Sequence, residues 1–124
     1  MLALIVDDNP GFRESARLLL EPEGYDVAEA ETGNRAVEAA GELRPDLVLL
    51  DVQLPDLDGF EVAERIARLD PPPDVILTST RDRADYGSLV SACPALGFIA
   101  KHELSAAAIR ALLAGAGARQ SAGG

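Results

Sequence analysis

Four apolar runs of this chain end in polar groups suited to a phosphoryl group and a hard cation. Ile5-Val6 gives way to Asp7-Asp8, and Leu47-Val48-Leu49-Leu50 to Asp51. Ile76-Leu77 leads into Thr78-Ser79-Thr80, and Phe98-Ile99-Ala100 into Lys101, the only lysine among 11 Lys and Arg residues. Three carboxylates in one pocket repel, each close pair by about 4 kcal/mol at an effective dielectric near 20. A divalent cation removes that penalty. With oxygen donors and neither His nor Cys in the set, Mg²⁺ or Mn²⁺ fits better than Zn²⁺. Such a cation can bridge Asp51 to an incoming phosphoryl group. A carboxylate can also be the nucleophile, giving an aspartyl phosphate. Lys101 offers a point charge to a further oxygen, and Thr78 offers its hydroxyl. Ser79 is small and leaves room for the group to enter.

These side chains meet only if the elements carrying them lie side by side. Leu2 to Val6 reads as strand one. Asn9 caps the helix after it, with Pro10 at a first position where a missing N–H costs nothing. Phe12, Ala16, Leu19 and Leu20 follow at helical spacing, and Pro22 and Gly24 stop that helix. Tyr25 to Ala30 alternates as strand two. Thr32-Gly33-Asn34 turns into a short helix with Ala36, Val37 and Ala40. Leu47 to Leu50 is strand three, apolar throughout as in a parallel strand buried on both faces, with Asp51 just beyond the apolar layer. Phe60, Ala63, Ile66 and Ala67 mark a third helix, ended by Pro71-Pro72-Pro73. Val75 to Thr78 is strand four. A weak fourth helix carries Tyr86, Leu89 and Val90, and Pro94 ends it. Gly97 to Ala100 is strand five, and Ser105 caps a last helix with Ala108, Ile109, Leu112 and Leu113.

Strands alternating with helices give an α/β fold with a parallel sheet and right-handed crossovers, helices on both faces. Ligands of such doubly wound sheets sit beyond the carboxyl ends of the strands where the order reverses. Asp7-Asp8 and Asp51 meet there if strands one and three are neighbours. The predicted order is therefore 2-1-3-4-5, a flavodoxin-like (βα)5 arrangement.

A length of 124 residues suits one domain, with 48% apolar residues to form its core. No apolar stretch approaches the ~20 residues of a membrane span. The start, Met1-Leu2-Ala3-Leu4, has no basic region of a secretory signal. A lone cysteine, Cys93, excludes an internal disulfide, reads as a small buried apolar residue and fits a reducing cytosol. A cytoplasmic location is the expectation. The net charge of −10 argues against direct contact with nucleic acid or anionic lipid. Partners are then proteins, cations or small molecules.

The ordered set of motifs resembles the receiver domain of bacterial two-component response regulators. It comprises Asp-Asp after strand one, Asp51 ending strand three, Pro55-x-x-x-Gly59, Thr78-Ser79 after strand four, and Phe98-x-x-Lys101. The resemblance spans Leu2 to about Leu113, so residues 1–114 would be the receiver domain and 115–124 a flexible tail. It implies that Asp51 is the phosphoacceptor. Asp8 would hold Mg²⁺ directly, Asp7 through water, and Gln53 through its backbone carbonyl. Thr78 would be the switch hydroxyl, Phe98 the rotameric aromatic and Lys101 the phosphate lysine. Gln53 and Thr80, two residues after Asp51 and Thr78, would overhang the pocket and set the hydrolysis rate. The implied function is a signalling switch that takes its phosphoryl group from a histidine kinase or phosphotransfer protein. It would catalyse only its own phosphorylation and dephosphorylation. The fourth helix, strand five and the fifth helix would form the output face toward a protein target, presenting Tyr86, Leu89, Val90 and Ala107.

Two features depart from the family pattern. Lys101 is followed by His102 where the family has proline. The familiar cis peptide is not expected there, since a cis bond to a non-proline residue costs about 3 kcal/mol. No output domain follows either, which fits a lone receiver or a piece of a longer protein. Other readings compete with this one. A haloacid-dehalogenase-like phosphatase also uses Asp, Thr or Ser, Lys and Mg²⁺, but its Asp-x-Asp motif on the first strand is absent here. A degenerate receiver would bind partners without phosphorylation, against which the intact acids, Thr78 and Lys101 stand. Asp56-Leu57-Asp58-Gly59 lacks the spacing and final Glu of a calcium loop and reads as a turn. His102 reads as exposed loop.

Overall fold

The computed structural model describes the backbone of residues 1–123 and the side chains of residues 1–115. The expected tail, 115–124, falls largely outside those described side chains. The elements follow the order β1 (Leu2–Val6), α1 (Pro10–Leu20), β2 (Asp26–Ala30), α2 (Gly33–Leu43), β3 (Leu47–Asp51), α3 (Gly59–Ile66), β4 (Asp74–Ser79), α4 (Ser88–Ala92), β5 (Gly97–Ala100) and α5 (Ala106–Gly123). The strands form one parallel sheet in the order β2-β1-β3-β4-β5. The flavodoxin-like order inferred from the acidic residues is the order found. Among the described residues, no helix is long and apolar enough to cross a membrane.

The sheet is buried on both faces, which is why its central strands lack polar alternation. Leu4, Val6, Val48, Leu50, Val75 and Leu77 pack on one face, with α2 and α3 residues such as Ala36, Val62 and Ile66. Ala3, Ile5, Leu47, Leu49, Ile76 and Ile99 pack on the other, with Ala16, Leu20 and Ile109. Successive strand residues alternate between the two clusters, as the pleat requires.

Helix starts follow local chemistry. Asn9 Oδ1 accepts N–H bonds from Gly11 and Phe12, with Pro10 in the first turn. Thr32 and Asp58 cap α2 and α3 by accepting from Arg35 and Glu61. Asp56, the fifth residue of the loop after β3, also accepts from the N–H groups of Gly33 and Asn34, at 2.7 and 2.8 Å. That loop is thereby clamped to the first turn of α2. The Asp56–Gly59 stretch is thus a turn that caps two helices.

The weak fourth helix is broken in two. A 3-10 turn, Arg83–Tyr86, precedes α4, and Gly87 between them adopts φ 57°, ψ −131°. Only glycine enters that region readily. One expectation changes as a result. Val90 is buried in the short α4 and is not part of the outer face, whereas Leu89 stands 55% exposed. The strands also run further than expected at their carboxyl ends, β3 to Asp51 and β4 past Thr78 to Ser79, which brings these polar groups into the core.

Candidate functional site

The register places the chemistry at one edge. Val6 pairs with Leu50, Asp51 with Thr78, and Ser79 with Ala100. Asp7, Asp51, Thr78 and Lys101 therefore arrive together beyond or at the ends of four adjacent strands. Asp7, Asp51, Thr78 and Ser79 are buried. Asp51 was expected just past the apolar layer; it is the last residue of β3 and almost fully buried. The extra strand residue follows from its pairing with Thr78.

One carboxylate oxygen each from Asp7, Asp8 and Asp51 lies within 4.8 Å of the others. Asp8 is the exposed member and faces the solvent from which a cation would come. Lys101 Nζ lies 2.6 Å from Asp7 Oδ2 and 3.3 Å from Asp51 Oδ2. Its ammonium also sits 4.4 Å from the centre of the Phe12 ring, a cation–π contact. Asp51 Oδ1 accepts the Gln53 N–H at 3.1 Å. Burial pushes the Asp51 carboxyl up to about 6, helped by the charge of Asp7 and opposed by the Gln53 amide and Lys101. Burial works against the charge on Lys101, but Asp7 and Asp51 together raise its pKa. Asp7 and Asp51 thus share one internal cation, and with Asp8 beside them the cluster retains excess negative charge. A hard divalent ion with oxygen ligands fits that donor set.

Thr78 Oγ1 is buried and has no hydrogen-bond partner among the described residues. An unmet hydroxyl in a core is costly, and this one belongs to the residue paired with Asp51. The Ser79 hydroxyl is not free: it contacts the Tyr86 hydroxyl at 2.6 Å and accepts the Arg81 N–H at 3.0 Å. Phe98 is half-buried and packs against Tyr86. Gln53 and Thr80 are both exposed, on the loops after β3 and β4. His102 is exposed in a 3-10 turn, Lys101–Glu103, with Nε2 3.3 Å from Glu103 and 3.8 Å from Asp82. Asp70–Pro71 is the cis peptide among the described residues, so the bond from Lys101 to His102 is trans. Lys101 reaches the acids without the missing proline.

Gly59 explains the Pro55-x-x-x-Gly59 motif. A Cβ at this position would collide with the Asp51 carbonyl and lie 2.7 Å from Val52 Cα. Its N–H donates to the Val52 carbonyl at 2.7 Å. The glycine lets α3 start directly against the end of β3 and so holds Asp51 in place. The Ser79–Tyr86 contact and the Asp56 clamp had no local sequence signal.

Comparison with known proteins agrees with this geometry. The family model described as "Response regulator receiver domain" matches residues 3–114. A putative transcriptional regulator of Pseudomonas aeruginosa is 38% identical over 101 residues, covering 81% of this chain and 49% of that protein. The transcriptional regulatory protein AfsQ1 of Streptomyces coelicolor is 42% identical over 82 residues, covering 66% of this chain and 36% of that protein. The chain thus spans less than half the length of these relatives. Among solved structures, a CheY-like receiver domain protein from Methanospirillum hungatei superposes with a TM-score of 0.82 at 25% identity, covering 99% of this chain and 98% of that one. A two-component response regulator of the LuxR family from Aurantimonas gives 0.80 at 30% identity, covering 92% of this chain and 85% of that one.

Proposed function

Since the chain belongs to the response regulator receiver domains, we propose that it is a signalling switch phosphorylated on Asp51 by a histidine kinase or phosphotransfer protein. One observation carries this reading: a buried Asp51 shares Lys101 with Asp7 and lies beside the unpartnered Thr78 hydroxyl. An Asp51 oxygen attacks the phosphorus of a phosphohistidine. The new P–O bond forms as the P–N bond breaks, and the imidazole leaves with the electron pair and takes a proton. Lys101 then meets one phosphoryl oxygen and Thr78 donates to another. Asp7, Asp8, Asp51 and the Gln53 carbonyl would hold Mg²⁺, which when bound neutralises charge on the phosphoryl oxygens. Water attack on phosphorus later regenerates the carboxylate and releases phosphate. Gln53 and Thr80, both exposed beside the pocket, would set that rate by orienting or admitting the water. The chain's catalysis is limited to its own phosphorylation state. Phosphoryl transfer changes the surface around Tyr86, Leu89, Phe98 and Ala107, through which a protein target is engaged.

The test is metal-dependent labelling by acetyl phosphate, read by intact mass. Parent protein gains one phosphoryl group with Mg²⁺ and none with chelator, and Asp51→Asn gains none. No labelling of the parent would leave a partner-binding module, and turnover of small phosphoesters would point to a phosphatase.

A further inference from the structure

Tyr86 joins three parts of the molecule. Its hydroxyl lies 2.6 Å from Ser79 Oγ at the end of β4. Its ring meets Phe60 of α3 edge-on, with centroids 5.6 Å apart at 70°. It meets Phe98 of β5 at 5.8 Å and 57°. Ser79 is fully buried and also accepts the Arg81 N–H at 3.0 Å. One serine oxygen therefore ties both ends of the segment 81–86 to the sheet. Strand alternation sends Ser79 to the face opposite Thr78, the face shared by Leu77. Phe98 is in register with Leu77 and packs on that same face. Tyr86 thus stands beside Phe98, with its hydroxyl on the strand end toward which Phe98 would turn.

We propose that the Ser79–Tyr86 hydroxyl pair is a latch on the unphosphorylated form, and that these two residues set how readily Asp51 keeps a phosphoryl group. The proposal rests on Asp51 being the phosphoacceptor. A phosphoryl group brings strong acceptor oxygens, and the buried Thr78 hydroxyl has no other partner among the described residues to give up. Drawing Thr78 toward Asp51 moves the adjoining peptide and carries Ser79 with it. Ser79 then loses its hold on Tyr86. Tyr86 is half-buried, so its hydroxyl passes to water while Phe98 takes the vacated side of β4. A bond made only in the resting form stabilises that form, and its removal favours the phosphorylated one. A net intramolecular hydrogen bond shifts such an equilibrium roughly two- to tenfold.

The experiment titrates the full chain with beryllofluoride and Mg²⁺, a phosphoryl mimic at aspartate, and follows amide NMR shifts. Parent, Tyr86→Phe, Ser79→Ala and the double variant are compared, with thermal unfolding measured beside them. Each single variant tightens the apparent affinity roughly two- to tenfold, and the double variant gains nothing beyond the better single. Unchanged affinities in the single variants would overturn the latch. So would a double variant whose gain is the product of the two. A lowered melting temperature with unaltered affinity would show hydroxyls that serve only the fold, and would overturn it too. A parent that takes no beryllofluoride fails the phosphoacceptor reading and the latch together. A parent that binds while its variants do not differ fails the latch alone.

Discussion

Lys101 holds its ammonium closer to Asp7 than to Asp51, at 2.6 Å against 3.3 Å. The residue assigned to the phosphoryl group thus spends the resting state as counter-charge for two buried acids. Its pairing with Asp7 compensates a carboxylate that is otherwise shut off from water.

Lys101→Met keeps an unbranched apolar side chain and removes the charge that sits over Phe12. The loss should be about 1–3 kcal/mol at pH 7 without divalent ions. The share owed to Asp51 should return at pH 4.5, where Asp51 carries a proton. Urea unfolding at both values checks this; equal losses would show that the ammonium does not act as counter-charge to Asp51.

Asp51 sets a pH dependence of definite sign. Its folded pKa is about 6 against an ordinary 3.8, because burial favours the neutral acid. The folded form binds the proton more tightly, so its stabilising effect is full below about pH 4 and lost as pH rises through 6. That interval corresponds to at most about 3 kcal/mol. In chelator, Asp51→Asn should flatten this part of the profile and exceed the parent's stability at pH 7.

Asp8 is exposed while its two acidic neighbours are buried. Asp8→Ala should therefore leave stability in chelator within about 0.5 kcal/mol of the parent. It should abolish both Mg²⁺-induced stabilisation and labelling. Normal labelling of this variant would remove Asp8 from the cation site.

Thr78→Val replaces the unpartnered buried hydroxyl with a methyl of similar size. Stability should be unchanged or slightly higher, in contrast to the usual loss for a buried polar residue. Phosphorylation should persist, but amide shifts from Tyr86 to Phe98 on adding beryllofluoride should shrink. Undiminished shifts would show that the response does not pass through Thr78.

Gly59→Ala should cost about 2–3 kcal/mol, because neither the Asp51 carbonyl nor Val52 Cα has room to retreat. Displacing α3 also moves Asp51, so labelling should slow together with the loss in urea unfolding.

The sheet order was legible because four apolar runs carried their polar groups at the same end. Only neighbouring strands one and three bring Asp7 and Asp51 together. The burial of Asp51 was not legible, since one carboxylate after four apolar residues reads equally as the last strand position or the first of a loop. Asp56 gave no hint of its bonds to Gly33 and Asn34, because the partners lie more than twenty positions upstream. Val90 was misplaced for a related reason. Its helical spacing assumed one helix through Tyr86 and Leu89, and Gly87 resets the rotation between them. The Tyr86 hydroxyl found Ser79 through that same break.

The two lips of the pocket are built differently. The loop after β3 is fastened by Asp56 to another helix's first turn, while the segment after β4 is held by the Ser79 oxygen and by the Tyr86 ring between Phe60 and Phe98. A partner that lands on the first lip meets a surface whose ordering entropy was lost at folding, so little affinity is spent on holding it still. A partner that reads the second lip meets the segment that the proposed latch would release. Recognition by whatever delivers the phosphoryl group can therefore be indifferent to the state of the molecule on one side of the pocket. Recognition by whatever responds to it can depend on that state on the other.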